Sequence, residues 1–145
     1  MKRTIGYPML PRILHPEQLQ GYRLNNHDHC RLALLNRPES GGCTVFLEVH
    51  DPCDRVPPHC HHHSAELFFV LRGTVVFHVG DRAISASGGD VVMVPEEALH
   101  DLENPGPERV YLLTVLSSDG GFADLLEHSI PTPLDGDDLA VLRSL

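Results

Sequence analysis

The feature that most narrows the fold is the rhythm of the chain from residue 31 onward. Short runs of β-branched, aromatic and aliphatic residues (31–36, 44–50, 66–72, 74–79, 82–87, 91–94 and 109–117) are separated by Ser40-Gly41-Gly42, Gly73, Gly80-Asp81, Gly88-Gly89-Asp90 and Pro95. Runs at roughly 8–12-residue spacing with such turns read as strands. Gaps this short cannot carry the crossover that a parallel pair needs. About seven antiparallel strands closing into a sandwich or barrel are therefore predicted, with a Pro-rich bend at 51–58 containing Pro52, Pro57 and Pro58.

The flanks differ. Residues 1–30 carry Pro8, Pro11, Pro16 and the polar run 25–29, which predicts an irregular arm over a core at 31–117. In the tail, 118–145, Phe122, Leu125 and Leu126 recur at helical spacing. Asp137-Asp138 stand before Leu139, Val141, Leu142 and Leu145 as expected caps, so two short helices are predicted. A chain of 145 residues fits one domain.

Charge excludes several functions. Twenty acidic against eleven basic side chains give −9, and the single lysine is Lys2, so nucleic acid is not an expected partner and Schiff-base chemistry in the core is excluded. The chain offers no apolar run of about 18 residues, and Pro8 and Pro11 interrupt its start; no membrane segment and a cytoplasmic location are expected. Cys30, Cys43, Cys53 and Cys60 form no CxxC pair and read as free thiols.

The stretch Pro57-Pro58-His59-Cys60-His61-His62-His63-Ser64-Ala65-Glu66 is the chemical centre of the sequence. Extended backbone has period two, so His59 and His61 point to one side, Cys60 and His62 to the other, and a turn at 62–65 returns Glu66 beside the first pair. Two imidazoles and a carboxylate are a common ligand set for first-row metals. His63 shares the parity of the pair and is an alternative ligand. His62 and His63 are expected mainly as solvated loop residues, and His50 mainly as a sheet residue with a backbone partner, with a place on a cavity wall as its alternative.

Two spaced motifs in this region resemble those of the cupins. The first, G-x5-HxH-x4-E-x6-G, matches Cys53 (where Gly is expected), His59, His61, Glu66 and Gly73. The second, G-x5-PxG-x2-H-x3-N, matches Gly89, Pro95, Glu97 (where Gly is expected), His100 and Asn104. The resemblance covers 53–104 directly and 31–117 with the flanking strands, and the tail looks like that of small quercetinase-like members.

It implies an all-β fold, a cupin-type antiparallel β-barrel of the jelly-roll or double-stranded β-helix kind, with an N-terminal arm and short C-terminal helices. It also implies one divalent first-row ion (Fe, Mn, Ni, Co, Cu or Zn) held by His59, His61, Glu66 and His100. Four ligands on an octahedral ion leave positions open for water, dioxygen or a chelating substrate. Cys53 requires its turn to be rebuilt, and Glu97 is either a solvated carboxylate or a group reaching the cavity mouth.

The resemblance favours an enzyme, a mononuclear metal-dependent dioxygenase for a small neutral, phenolic or enolic substrate, with Glu66 as both ligand and catalytic base. Metal-dependent isomerase, decarboxylase or lyase chemistry on a small hydroxy or keto acid is the alternative, as is a non-catalytic binder of metal or small ligand. Anionic substrates would call on Arg31, Arg55, Arg72, Arg82 or Arg109. Sheet edges that need cover, with a 30-residue arm to supply a strand, lead to an expected homodimer.

Overall fold

Alternation decides which face of each strand is inside. In β5 (Glu66–Arg72), Glu66, Phe68 and Val70 are buried while Phe69 is exposed; in β8 (Val91–Val94), Val92 and Val94 are buried while Val91 and Met93 face out. The computed structural model describes residues 11–38 and 42–145. The first ten residues of the arm, with Lys2 and Pro8, and the Ser40-Gly41 part of the first turn lie outside the described residues.

The remaining strands are β1 (Gly21–Arg23), β2 (Arg31–Leu34), β3 (Thr44–His50), β4 (Arg55–His59), β6 (Thr74–Val79), β7 (Arg82–Ser87), β9 (His100–Glu103), β10 (Val110–Leu116) and β11 (Ile130–Pro131). They form two antiparallel sheets, one ordered β11-β1-β2-β3-β10-β5-β8 and the other β4-β9-β6-β7. Phe68, Val70, Val75, Phe77, Val92, Val94, Leu102 and Leu112 pack between the sheets. Each such side chain contributes about 1.5–3 kcal/mol by leaving water.

The expected β-barrel of the jelly-roll type is the observed one, but it has more strands than the predicted seven. Residues 55–58, expected within a bend, belong to β4 despite Pro57 and Pro58. Proline cannot donate to a ladder, and β4 lies at the edge of its sheet, where the register breaks between Val56 and His59. Strand β9 (HDLE) is too short and polar to show a strand pattern. Within the arm, β1 pairs with both β2 and β11 of the same chain, so this part of it completes its own sheet.

Two helices follow, α1 (Phe122–Glu127) and α2 (Gly136–Ser144). The cap of α2 is Asp135, not the expected Asp137-Asp138 pair. Asp135 accepts from the Asp138 N–H, while the Asp138 side chain accepts from the Asp135 N–H. Asp138 is fully buried; Arg31 Nη1 lies 2.7 Å away, Arg109 Nη1 lies 3.0 Å away, and the Tyr111 hydroxyl donates to it at 3.0 Å. Thus Arg31 and Arg109 hold α2 on the outer face of the larger sheet, against Leu47, Val49 and Ala33.

Both residues that stand where the motifs have glycine adopt left-handed backbone, Cys53 at φ 65° and Glu97 at φ 67°. The expected rebuilding of the Cys53 turn does not occur; the cysteine takes up the glycine conformation. That conformation costs an L-residue about 1–2 kcal/mol, against the smaller entropic cost of glycine. Cys53→Gly is therefore expected to stabilise the fold by about 0.5–1 kcal/mol, raising Tm by roughly 2–3 °C in thermal unfolding. An unchanged or lowered Tm would show that the turn is not strained.

The α2 clamp has a pH dependence. Burial pushes the Asp135 carboxyl up, but the Asp138 N–H and the Arg109 guanidinium outweigh it and bring the value from 3.8 down to about 2. A lowered folded value means that its contribution is complete above about pH 4 and is lost as pH falls toward 2. Hydrogen-exchange protection of residues 136–144 should fall across that window. Protection that stays level from pH 5 to pH 2.5 would contradict the clamp.

Candidate metal centre

Antiparallel pairing of β4 with β9 puts His59 directly opposite His100. The chain then turns out of β4 through His61 and re-enters as Glu66, the first residue of β5. The loop carrying Glu97 is bonded to the loop carrying His61, since the Glu97 N–H donates to the His61 carbonyl at 2.9 Å. His100 thereby meets the three groups of the 59–66 stretch: one ligand atom each from His59, His61, Glu66 and His100 all fall within 4.8 Å of one another.

The imidazoles are oriented by their second nitrogens. His59 Nδ1 donates to the Pro57 carbonyl at 2.9 Å, and His100 Nδ1 donates to the Ala98 carbonyl at 2.9 Å. Anchoring Nδ1 on a carbonyl leaves Nε2 to face a ligand, as at metal-binding histidines generally. His100 Nε2 lies 2.9 Å from Glu66 Oε2. His61 Nε2 lies 3.2 Å from the same oxygen but off the line that a hydrogen bond requires, so among the described residues this buried nitrogen has no partner.

Burial pushes the Glu66 carboxyl up, but hydrogen bonding from His100 and the nearness of His61 outweigh it and hold the group below the usual carboxylate range. Burial pushes the His100 imidazole down, and its bond to Glu66 outweighs that and raises it. A buried imidazole nitrogen without a partner, in a set of three nitrogens and one carboxylate oxygen, fits a first-row divalent cation.

The cluster opens into a cavity of about 370 Å³. Its walls are mostly apolar, with Phe46, Phe68, Leu102, Leu116 and Phe122 prominent, and α1 closes one side through Phe122 and Leu125. Charged lining groups are Asp28, Glu48, Arg55 and Glu66. Of the arginines considered from sequence, only Arg55 lines the cavity, and its Nε lies 3.0 Å from Glu103. Arg31 and Arg109 are engaged with the α2 clamp.

His50 is the expected sheet residue, last in β3 and opposite Val110, but its ring joins a polar network that was not expected. It has no backbone partner on its ring; it is fully buried, with Nδ1 2.9 Å from Asp54 and Nε2 2.9 Å from Glu48. The Cys30 thiol lies 3.5 Å from Nε2. Burial pushes the imidazole down, yet Cys30 and the hydrogen bonds to Asp54 and Glu48 outweigh it and hold it well above the usual histidine range. Burial likewise pushes the Cys30 thiol up to about 11. Sequence reasoning missed Glu48, Asp54 and Cys30. The signal for Glu48 was present: Phe46, Glu48 and His50 alternate along β3, so two polar residues share an inward face.

His62 and His63 are exposed, and His62 Nδ1 lies 3.0 Å from the exposed Glu97 carboxylate, so Glu97 belongs to the loop surface and not to the cavity lining. All four cysteines are free. No helix among the described residues is long and apolar enough to cross a membrane.

Such a barrel, with its inward His/Glu cluster at the meeting of two motif loops, defines a class. The cupin domain family matches residues 46–116, and the chain belongs to the cupin superfamily. It is similar to a mannose-1-phosphate guanylyltransferase from Salmonella typhimurium, 32% identical over 66 residues, which are 46% of this chain and 14% of that enzyme. The match therefore spans about one-seventh of the length of that curated relative.

Among solved structures, the barrel resembles a Thermotoga maritima protein described as a predicted oxalate decarboxylase. The TM-score is 0.66 at 21% identity, covering 74% of this chain and 99% of that one. It also resembles an RmlC-like cupin from Shewanella frigidimarina, with TM-score 0.63 at 16% identity, covering 74% and 91%.

His59→Ala and His100→Ala are each expected to abolish most metal binding, by at least about 10-fold in affinity, while the barrel stays folded. His62→Ala should bind metal as the parent does. Metal analysis of the three purified variants checks this, and loss confined to His62→Ala would overturn the ligand assignment.

Proposed function

We propose that this cupin is a mononuclear metal-dependent dioxygenase acting on a small substrate with a phenolic or enolic hydroxyl and an apolar body. The observation that carries the reading is the partnerless His61 Nε2 in a His/Glu cluster that faces an apolar cavity of about 370 Å³. When bound, a redox-active first-row metal supplies Lewis acidity and one-electron chemistry toward dioxygen.

The chain's own residues do the rest. Phe46, Phe68, Leu116 and Phe122 hold the apolar body and exclude water, which strengthens polar interactions inside the cavity. Glu66, whose carboxylate stands at the head of β5 where the cluster meets the cavity, accepts the proton of the substrate hydroxyl. Apart from the metal, the one arginine lining the cavity, Arg55, is already paired with Glu103, so among the described lining residues no arginine is free to bind an anionic substrate. That supports a neutral phenol or enol over a hydroxy or keto acid.

The test is oxygen uptake by metal-replete protein against flavonols, catechols and β-diketones. Uptake with at least one class is expected, and Glu66→Gln should lower kcat by about 10²-fold or more. Bound metal without oxygen uptake on any of them would replace the oxygenase reading with non-redox Lewis-acid chemistry. Undiminished turnover in Glu66→Gln would remove the base role.

A further inference from the structure

On the inner face of β3 and at the entry to β2, a second group of ligand-type side chains remains unused. Cys30, Glu48 and His50 each present one ligand atom, all within 4.8 Å of one another. The three residues are 8%, 5% and 0% exposed, and Cys30 and Glu48 line the cavity. We infer that Cys30, Glu48 and His50 form a second metal site, selective for a thiolate-accepting divalent cation such as zinc, with its open position toward the cavity.

Three observations carry this. The first is spacing: one tetrahedral ion with bonds of about 2.0–2.3 Å holds its donors roughly 3.3–3.8 Å apart. Cys30 Sγ stands 3.5 Å from His50 Nε2, and Glu48 Oε2 stands 2.9 Å from the same nitrogen. The Glu48 carboxylate has to withdraw from the imidazole by a few tenths of an ångström, and its oxygen and the Cys30 sulfur already lie within 4.8 Å of each other.

The second is support behind the donors. His50 Nδ1 donates to Asp54 Oδ2 at 2.9 Å, the carboxylate-histidine pairing that turns Nε2 toward a cation. The other oxygen of Glu48 accepts from the Thr114 hydroxyl, which leaves Oε2 as the oxygen facing the imidazole. Two of the three ligands are thus held from behind by β10 and by the loop entering β4.

The third is donor chemistry. A sulfur beside an imidazole and a carboxylate suits zinc or cobalt and distinguishes this set from the sulfur-free cluster of His59, His61, Glu66 and His100. Binding displaces the proton on His50 Nε2 and the thiol proton of Cys30. One divalent cation replaces two protons, so the formal charge of the cluster is unchanged.

The site is tested independently of the oxygenase reading, since the probe is cobalt(II) alone and no turnover is measured. Apo protein titrated with cobalt(II) should bind about two ions per chain and develop thiolate-to-cobalt charge-transfer absorption in the near ultraviolet. Cys30→Ser should lose that absorption and one of the ions, whereas Cys60→Ser and His100→Ala should keep the absorption. No absorption at saturating cobalt, or absorption that survives Cys30→Ser, overturns the site. If Cys30→Ser fails to fold by circular dichroism, X-ray absorption of cobalt-loaded Cys60→Ser gives the answer: a sulfur neighbour at about 2.3 Å is expected, and a shell of nitrogen and oxygen alone overturns the site.

Discussion

The pairing of β4 with β9 is the constraint on which the cavity depends. Strand β6 holds His100 in the sheet on one side, and β4 brings His59 opposite it on the other, beyond the register break that follows the Arg55–Glu103 and Val56–Leu102 pairs. Asn104 makes that pairing permanent. Its buried amide nitrogen donates to the Glu108 carbonyl at 2.7 Å and shares its second hydrogen between the carbonyls of His50 and Asp51, and its backbone exchanges bonds with Asp54 and Cys53. The end of β3, the entry to β4 and the exit of β9 are thereby one hydrogen-bonded unit, so the ligand positions are inherited from backbone geometry and not from side-chain packing alone.

That rigidity has an energetic counterpart. Burying Glu48, His50, Asp54, Glu66 and His100 inside a small barrel removes several charges from water, which is costly unless every charge is paired and hydrogen-bonded. The pairing is nearly complete, with Glu48, Asp54 and Glu66 each set against an imidazole. Stability therefore has to come from elsewhere: the apolar layer between the sheets, and the cover that α1 and α2 give to the larger sheet. Polar interior, apolar middle and helical cover are interdependent, because a looser shell would admit water to the charged groups and relax the geometry they hold.

Much of this was legible from residue order, for a physical reason in each case. Strands β3, β5, β6, β7 and β8 follow runs with strong β preference closed by turn residues, and period two alone puts His59 and His61 on one side. What stayed hidden was set by long-range context. Pro57 and Pro58 argue against a strand unless it is known to lie at an edge, and HDLE has no pattern of its own before β6 and β4 flank it. His50 could not be oriented, because a strand's two faces are equivalent until its neighbours are known. The same ignorance concealed Glu48, although its alternation with Phe46 and His50 was in plain view.

The two clusters on the cavity walls differ in what an arriving cation must displace, and this sets an order between them. At His59, His61, Glu66 and His100, an ion would have to break the His100–Glu66 bond but no thiol proton would be expelled, His61 Nε2 has no hydrogen-bond partner to lose, and the anchors of His59 and His100 on backbone carbonyls would survive occupation. At Cys30, Glu48 and His50, every donor is already engaged, so an ion has to break the His50–Glu48 bond and expel a thiol proton before it gains its own bonds. On the two proposed assignments, the first cluster would be the higher-affinity position for a borderline metal, and the second would fill only where sulfur affinity offsets that cost. Such a cavity would hold one cation readily and admit another under stricter chemical terms, which would separate the two by metal type as well as by affinity.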